Sequence, residues 1–123
     1  MKLAIIGAGK WGQALYHAYA SNKDNDVVIT SRTPKDIENY VSLDEALERE
    51  YLIIALPAQI VRGWMEANFV DKGQSVLVAA KGIETASGAF LNEIYKEFLP
   101  LKRLAFLSGP SFATEVKALS LIH

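Results

Sequence analysis

Five short runs of nearly unbroken apolar residues recur along the chain: Leu3 to Ile6, Val27 to Thr30, Leu52 to Leu56, Ser75 to Ala79 and Leu104 to Leu107. Runs this short and this continuously apolar are what strands need when both faces of a parallel sheet are covered. The segments between them carry apolar residues at helical spacing. In the first, Ala14, Leu15, Ala18 and Tyr19 predict the inward stripe of a helix that ends near Asn22. Ser42 with Glu45 predicts a capping box opening a shorter helix. Pro57 is tolerated in a first turn, so it predicts a third helix running to about Phe69, with Ile60, Val61, Trp64, Met65 and Phe69 inward. A fourth carries Phe90, Leu91, Ile94, Tyr95 and Phe98. Strand and helix in alternation predict right-handed crossovers and an α/β fold, a doubly wound, mostly parallel sheet with helices on both faces.

Composition narrows the function classes. At 123 residues the chain is one domain's worth and can bury a real core. A formal net charge of -1 argues against a nucleic-acid partner. No apolar run approaches the roughly 18 residues of a membrane helix, and Leu3 to Ile6 is too short for a signal-peptide core. A cytoplasmic location and no membrane partner are therefore expected. Cysteine is absent, which removes disulfides, thiolate nucleophiles and cysteine-ligated metals. His17 and His123 are too few and too far apart for a metal site, and no Ser, His and Asp grouping reads as a triad.

The first apolar run leads directly into "GAGKWG", where Gly7, Gly9 and Gly12 stand at G-x-G-x-x-G spacing ahead of a predicted helix. Strand, turn and helix in that order are the setting of a Rossmann-type dinucleotide fingerprint. Gly7 would allow the tight turn, Gly9 would let backbone approach a pyrophosphate, and Gly12 would let the helix pack closely on the sheet. The anion would sit at the helix N-terminus, where unpaired N–H groups and the helix dipole attract it. Trp11 either walls the cleft beside those phosphates or covers the helix start against the core. A carboxylate is common about 20 positions further on, at the end of the second strand, but this chain has Thr30-Ser31-Arg32 there. Arg32 could pair with a 2′-phosphate, stack on an adenine, or stand in solvent. The expected cofactor is NADP or NAD, with NADPH bound at least as well as NADH.

Three further stretches fall at the ends of predicted strands, the rim where open α/β folds bind ligands. "LPAQIV" places Leu56, Pro57 and Ala58 there, although Pro57 also serves simply to start a helix. "AAKGIE" places Lys81 there, as a point charge for an anionic or carbonyl substrate or as a solvated lysine. "LSGPSFATEV" brings Ser108 to Ser111 in a small-residue turn open to a close-approaching ligand, or in a plain turn before a helix.

In this order and spacing, "IIGAGKWGQAL", "ALPAQIVR", "AAKGIE" and "LSGPSFATEV" resemble the N-terminal part of NAD(P)-dependent glycerol-3-phosphate dehydrogenases of the bacterial type, over nearly the whole chain to about Val116. The resemblance implies cofactor contacts at Lys10, Trp11, Arg32, Lys81 and Ala113, and substrate contacts at Lys81, Gly109 and Ser111. It implies hydride transfer between sn-glycerol 3-phosphate and dihydroxyacetone phosphate, in supply of glycerophospholipid precursors. It also implies a helical second domain, absent from these residues, that holds the general acid/base lysine; no catalytic residue is expected here. Residues 1–116 would be the cofactor-binding domain, and residues 117–123 form a tail that does not match the family. The 123 residues alone are expected to bind cofactor with little turnover, and to self-associate through the face left exposed. Two alternatives stay open: a stand-alone nucleotide-binding module, or the cofactor domain of another hydroxyacid dehydrogenase or reductase.

Overall fold

The computed structural model describes residues 1–79 and 91–106. Five strands, β1 (Lys2–Ile6), β2 (Asp26–Thr30), β3 (Tyr51–Ile54), β4 (Ser75–Val78) and β5 (Leu104–Phe106), form one parallel sheet in the order β2-β1-β3-β4-β5. Helices α1 (Lys10–Ala20), α2 (Leu43–Leu47) and α3 (Ala58–Asn68) make the first three crossovers, and residues 91–95 are also helical. The doubly wound sheet is therefore present as the sequence predicts. The reversal of strand order falls between β1 and β3, so the chain leaves these neighbours in opposite directions and opens a crevice at their C-terminal ends.

Alternation along each strand sorts the core into two layers. Leu3, Ile5, Val27, Ile29, Ile53 and Leu77 pack with Leu15, Tyr16 and Tyr19 of α1 on one face. Ala4, Ile6, Val28, Leu52, Ile54, Val76 and Val78 face Ala46, Leu47, Val61, Met65 and the Leu91, Ile94 and Tyr95 stripe on the other. Side chains point to opposite faces every second residue, so a fully apolar strand serves two helical layers at once.

Helix detail departs from the sequence reading at two places. Ala14 and Ala18 are exposed, and the buried face of α1 is Gly12, Leu15, Tyr16 and Tyr19. Tyr16 turns inward because its hydroxyl accepts a 2.7 Å bond from Asn39 Nδ2, which satisfies the polar tip at the core's margin. In α3, Val61 and Met65 are buried, but Ile60 is 46% exposed. Its turn overhangs the crevice instead of the sheet. Helix α3 itself runs Ala58–Asn68, with Pro57 at its N-cap and Phe69 at its C-cap. At α2, Ser42 Oγ accepts from Glu45 N at 3.3 Å, the half of the capping box that satisfies a first-turn N–H. Phe90 and Leu107 of the expected stripe and strand lie outside the described residues.

Candidate functional site

A cleft of about 1380 Å³ opens at the C-terminal ends of β1, β2 and β3. Gly7, Gly9, Lys10, Trp11, Gly12, Arg32 and Pro57 all line it. Lys81, Gly109, Ser111 and Ala113 lie outside the described residues, as does the tail at 117–123.

Its floor is made by the glycine turn. The ladder of the sheet continues past the strand ends, with Gly7 N donating to Thr30 O at 2.9 Å and Ala55 N donating to Ile6 O at 2.8 Å. These bonds hold the turn against β2 and β3. Gly7 adopts φ +112°, and a Cβ there would lie 2.6 Å from Ala55 O. Only glycine meets both conditions. At Gly12 a Cβ would fall 1.8 Å from Gly7 O, so helix α1 can begin this close to the turn only because the side chain is absent. At Gly9 a Cβ would meet nothing within 4 Å, because this residue faces the open cleft.

Helix α1 starts at that opening. Its N-cap is Gly9, no side chain caps it, and no acidic residue occupies its first turn. An α-helix's first N–H groups have no intrahelical acceptor, so this end presents donors and positive dipole to the cleft. Gln13 Nε2 donates to Ala8 O at 2.9 Å and braces the loop from within the helix. Trp11 both lines the cleft and packs against the core at the helix start. Its indole Nε1 donates to Ala79 O at 2.6 Å, tying α1 to the end of β4, and its ring packs on the α1-side core while lining the cleft.

Electrostatics give the cleft its sign. Lys10, Arg32 and Lys35 line it, and among the described lining residues there is no carboxylate. None of the three cations is in an ion pair with a described acid, whereas Arg49, Arg62, Lys72, Lys96 and Arg103 all are. Lys35 was not singled out by the sequence reading; its signal was its place three residues past Arg32, on the same loop. Leu43, Ile60 and Trp64 add apolar surface to the cleft lining. No group of three or more potential metal ligands occurs among the described residues. No helix among them is long and apolar enough to cross a membrane.

Comparison with known proteins fits this architecture. The family model described as NAD-dependent glycerol-3-phosphate dehydrogenase N-terminus matches residues 20–121. A glycerol-3-phosphate dehydrogenase [NAD(P)+] of Sulfurimonas denitrificans is 59% identical over 115 residues, and one of Nitratiruptor sp. is 55% identical over 117. These alignments cover 94% and 95% of this chain but 38% of each relative, so the chain spans well under half of their length. Among solved structures, a glycerol-3-phosphate dehydrogenase from Coxiella burnetii superposes with a TM-score of 0.58 at 25% identity, over 95% of this chain and 43% of that one. A 2-dehydropantoate 2-reductase from Enterococcus faecalis, described as putative, shares the fold with a TM-score of 0.62 at 17% identity, over 99% of this chain and 54% of that one. With the glycine turn, the switch-point cleft and the match over residues 20–121 taken together, the chain belongs to the family of NAD-dependent glycerol-3-phosphate dehydrogenases, as its N-terminal part.

Proposed function

We propose that the cleft binds NADP(H) or NAD(H), and that these residues are the cofactor-binding part of an oxidoreductase interconverting sn-glycerol 3-phosphate and dihydroxyacetone phosphate. The observation that carries the cofactor reading is a glycine-capped helix start facing a cleft lined by three cations and, among the described residues, no acid. The pyrophosphate would lie over Gly9 and the first turn of α1, where backbone can approach because no side chain intervenes. Lys10 would add a point charge beside it. Arg32 and Lys35, at the end of β2, would take a 2′-phosphate, with the planar guanidinium as the geometric match. When bound, the nicotinamide supplies the hydride. The described residues bind and orient; none is assigned a proton-transfer role. Lys81, Gly109 and Ser111 are proposed for the substrate phosphate and carbonyl on the strength of the family motifs.

Calorimetric titration with NADPH and NADH tests the reading. NADPH should bind at least as tightly as NADH, and Arg32→Ala should weaken NADPH by about 10- to 100-fold while changing NADH by less than about threefold. A clear preference of the unmodified chain for NADH would overturn the phosphate assignment. Assayed alone with dihydroxyacetone phosphate and NADPH, the 123-residue chain should turn over far below the ordinary enzyme median of about 10 per second, because a positioned proton donor is typically worth about 10² to 10⁴ in rate.

A further inference from the structure

We infer that Tyr40 is a positioning residue for cofactor discrimination: anchored on the outer edge of β2, its hydroxyl holds the Ser31–Thr33 backbone where Arg32 and Lys35 line the cleft. The inference rests on the assignment of Arg32 and Lys35 to a 2′-phosphate made above.

Strand β2 is a sheet edge, and the chain returns to cover it. Ile29 N donates to Asn39 O at 3.1 Å and Val41 N donates to Ile29 O at 2.9 Å, so Tyr40 sits in a parallel bridge opposite Ile29. Asn39 makes the return turn with φ +58°, a left-handed conformation that asparagine tolerates better than most residues. Its side chain is the donor to Tyr16 of α1. The backbone on both sides of Tyr40 is thereby fixed to elements that also build the cleft floor.

The other end of the side chain reaches the loop that carries Arg32. Tyr40 Oη donates to Ser31 O at 3.0 Å and accepts a longer 3.4 Å bond from Ser31 N. Ser31 Oγ in turn donates to Thr33 O at 2.6 Å. One phenol thus engages both backbone polar groups of Ser31, and the serine spans the next two residues, with Arg32 held between. Ser31 Oγ also lies 3.4 Å from Tyr40 Oη, and this contact first, then the bonds with Thr30 and the Ser31 backbone, hold the phenol pKa below its ordinary value against the opposing effect of burial.

Arg32 is exposed and pairs with no described acid, so the course of its backbone governs where its guanidinium can reach. Holding that backbone before a ligand arrives reduces the ordering cost that binding would otherwise incur. The benefit should accrue to ligands carrying the extra phosphate and not to those lacking it.

Tyr40→Phe keeps the ring and the backbone bridge and removes all three bonds between the hydroxyl and Ser31. Titrated by calorimetry with adenosine 2′,5′-bisphosphate and adenosine 5′-monophosphate, it should weaken the bisphosphate about 5- to 10-fold and the monophosphate less than about twofold. In an Arg32→Ala background the same change should add less than about twofold, because the two residues act as a unit. Asn39→Gly, which keeps the left-handed backbone but cuts the tie to Tyr16, should show the same selectivity with a smaller loss, and carries the test if Tyr40→Phe lowers the melting temperature into the titration range. Equal losses for both probes, or additive losses in the double variant, overturn the inference. If Arg32→Ala leaves the ratio of the two affinities unchanged, the 2′-phosphate assignment itself fails. If Arg32→Ala shifts the ratio and neither Tyr40→Phe nor Asn39→Gly does, that assignment stands and the role given to Tyr40 is wrong.

Discussion

At the ends where β3 and β4 begin, polar side chains are closed onto the protein; at the ends where β1 and β2 finish, they line open space. On the closed rim, the Gln74 side chain is 2% exposed and donates to Leu47 O and Val70 O while accepting from Lys72 N. Arg103 donates to both oxygens of Asp71 and to Gln74 O, and Arg49 pairs with Asp26. On the open rim, Lys10, Arg32 and Lys35 have no acidic partner among the described residues, and α1 begins without a side-chain cap. The strands and their apolar content are the same at both ends. What differs is whether charged groups are spent on the fold or left available to a ligand, and the direction of a parallel sheet decides which rim is which.

That contrast is broken most severely at Gly12. Alanine there would drive its Cβ to within 1.8 Å of Gly7 O, and neither the turn nor α1 can yield without losing the sheet-ladder bonds that hold them. Gly12→Ala should cost about 3 kcal/mol or more in urea denaturation, and dinucleotide binding should vanish with it. Gly9→Ala sharpens the point, since its Cβ meets nothing in the protein. Stability should fall by no more than about 1 kcal/mol, the difference expected between glycine and alanine at an N-cap, while dinucleotide affinity drops at least about 10-fold. If Gly9→Ala binds like the unmodified chain, the pyrophosphate does not lie over this residue.

The opposite pattern belongs to the closed rim. Gln74→Ala would leave Leu47 O and Val70 O without their donor and Lys72 N without its acceptor, next to the start of β4. A loss of about 2 kcal/mol in denaturation is expected, with cofactor dissociation constants unchanged. A change in affinity larger than about threefold would show that the two rims are coupled through the sheet.

How much of this was legible in the sequence depended on how local the cause was. The glycine turn could be read because its three requirements lie within six positions of one another and follow an apolar run. The strands could be read because burial on both faces leaves no room for polar residues. Helix faces were less legible: Ala14 and Ala18 look inward by hydropathy, yet Tyr16 takes the buried place through a bond to Asn39, 23 residues away. Lys35 and Tyr40 escaped for the same reason. Their positions follow from the chain's return along β2, which no local pattern announces. Arg32 stood out because the motif has a known place for an acid; Tyr40 occupies no motif position at all.

The smallest effect is expected at Asp71. The Arg103 guanidinium, first, and then the Gly73 N–H hold its carboxyl below the ordinary aspartate value. A depressed folded-state pKa means that the stabilisation is present above the unfolded value of about 3.9 and is lost as pH falls through the folded one. The Asp71 side chain is 42% exposed, so solvent screens the pair and the contribution should stay below about 1 kcal/mol. Asp71→Asn should therefore lower stability slightly at about pH 7, with the deficit shrinking as pH is brought to about 3, where the carboxylate it replaces is itself becoming protonated. A deficit that stays constant between those two conditions would show that the shape of the turn at Gly73, and not the charge on Asp71, is what Arg103 holds in place.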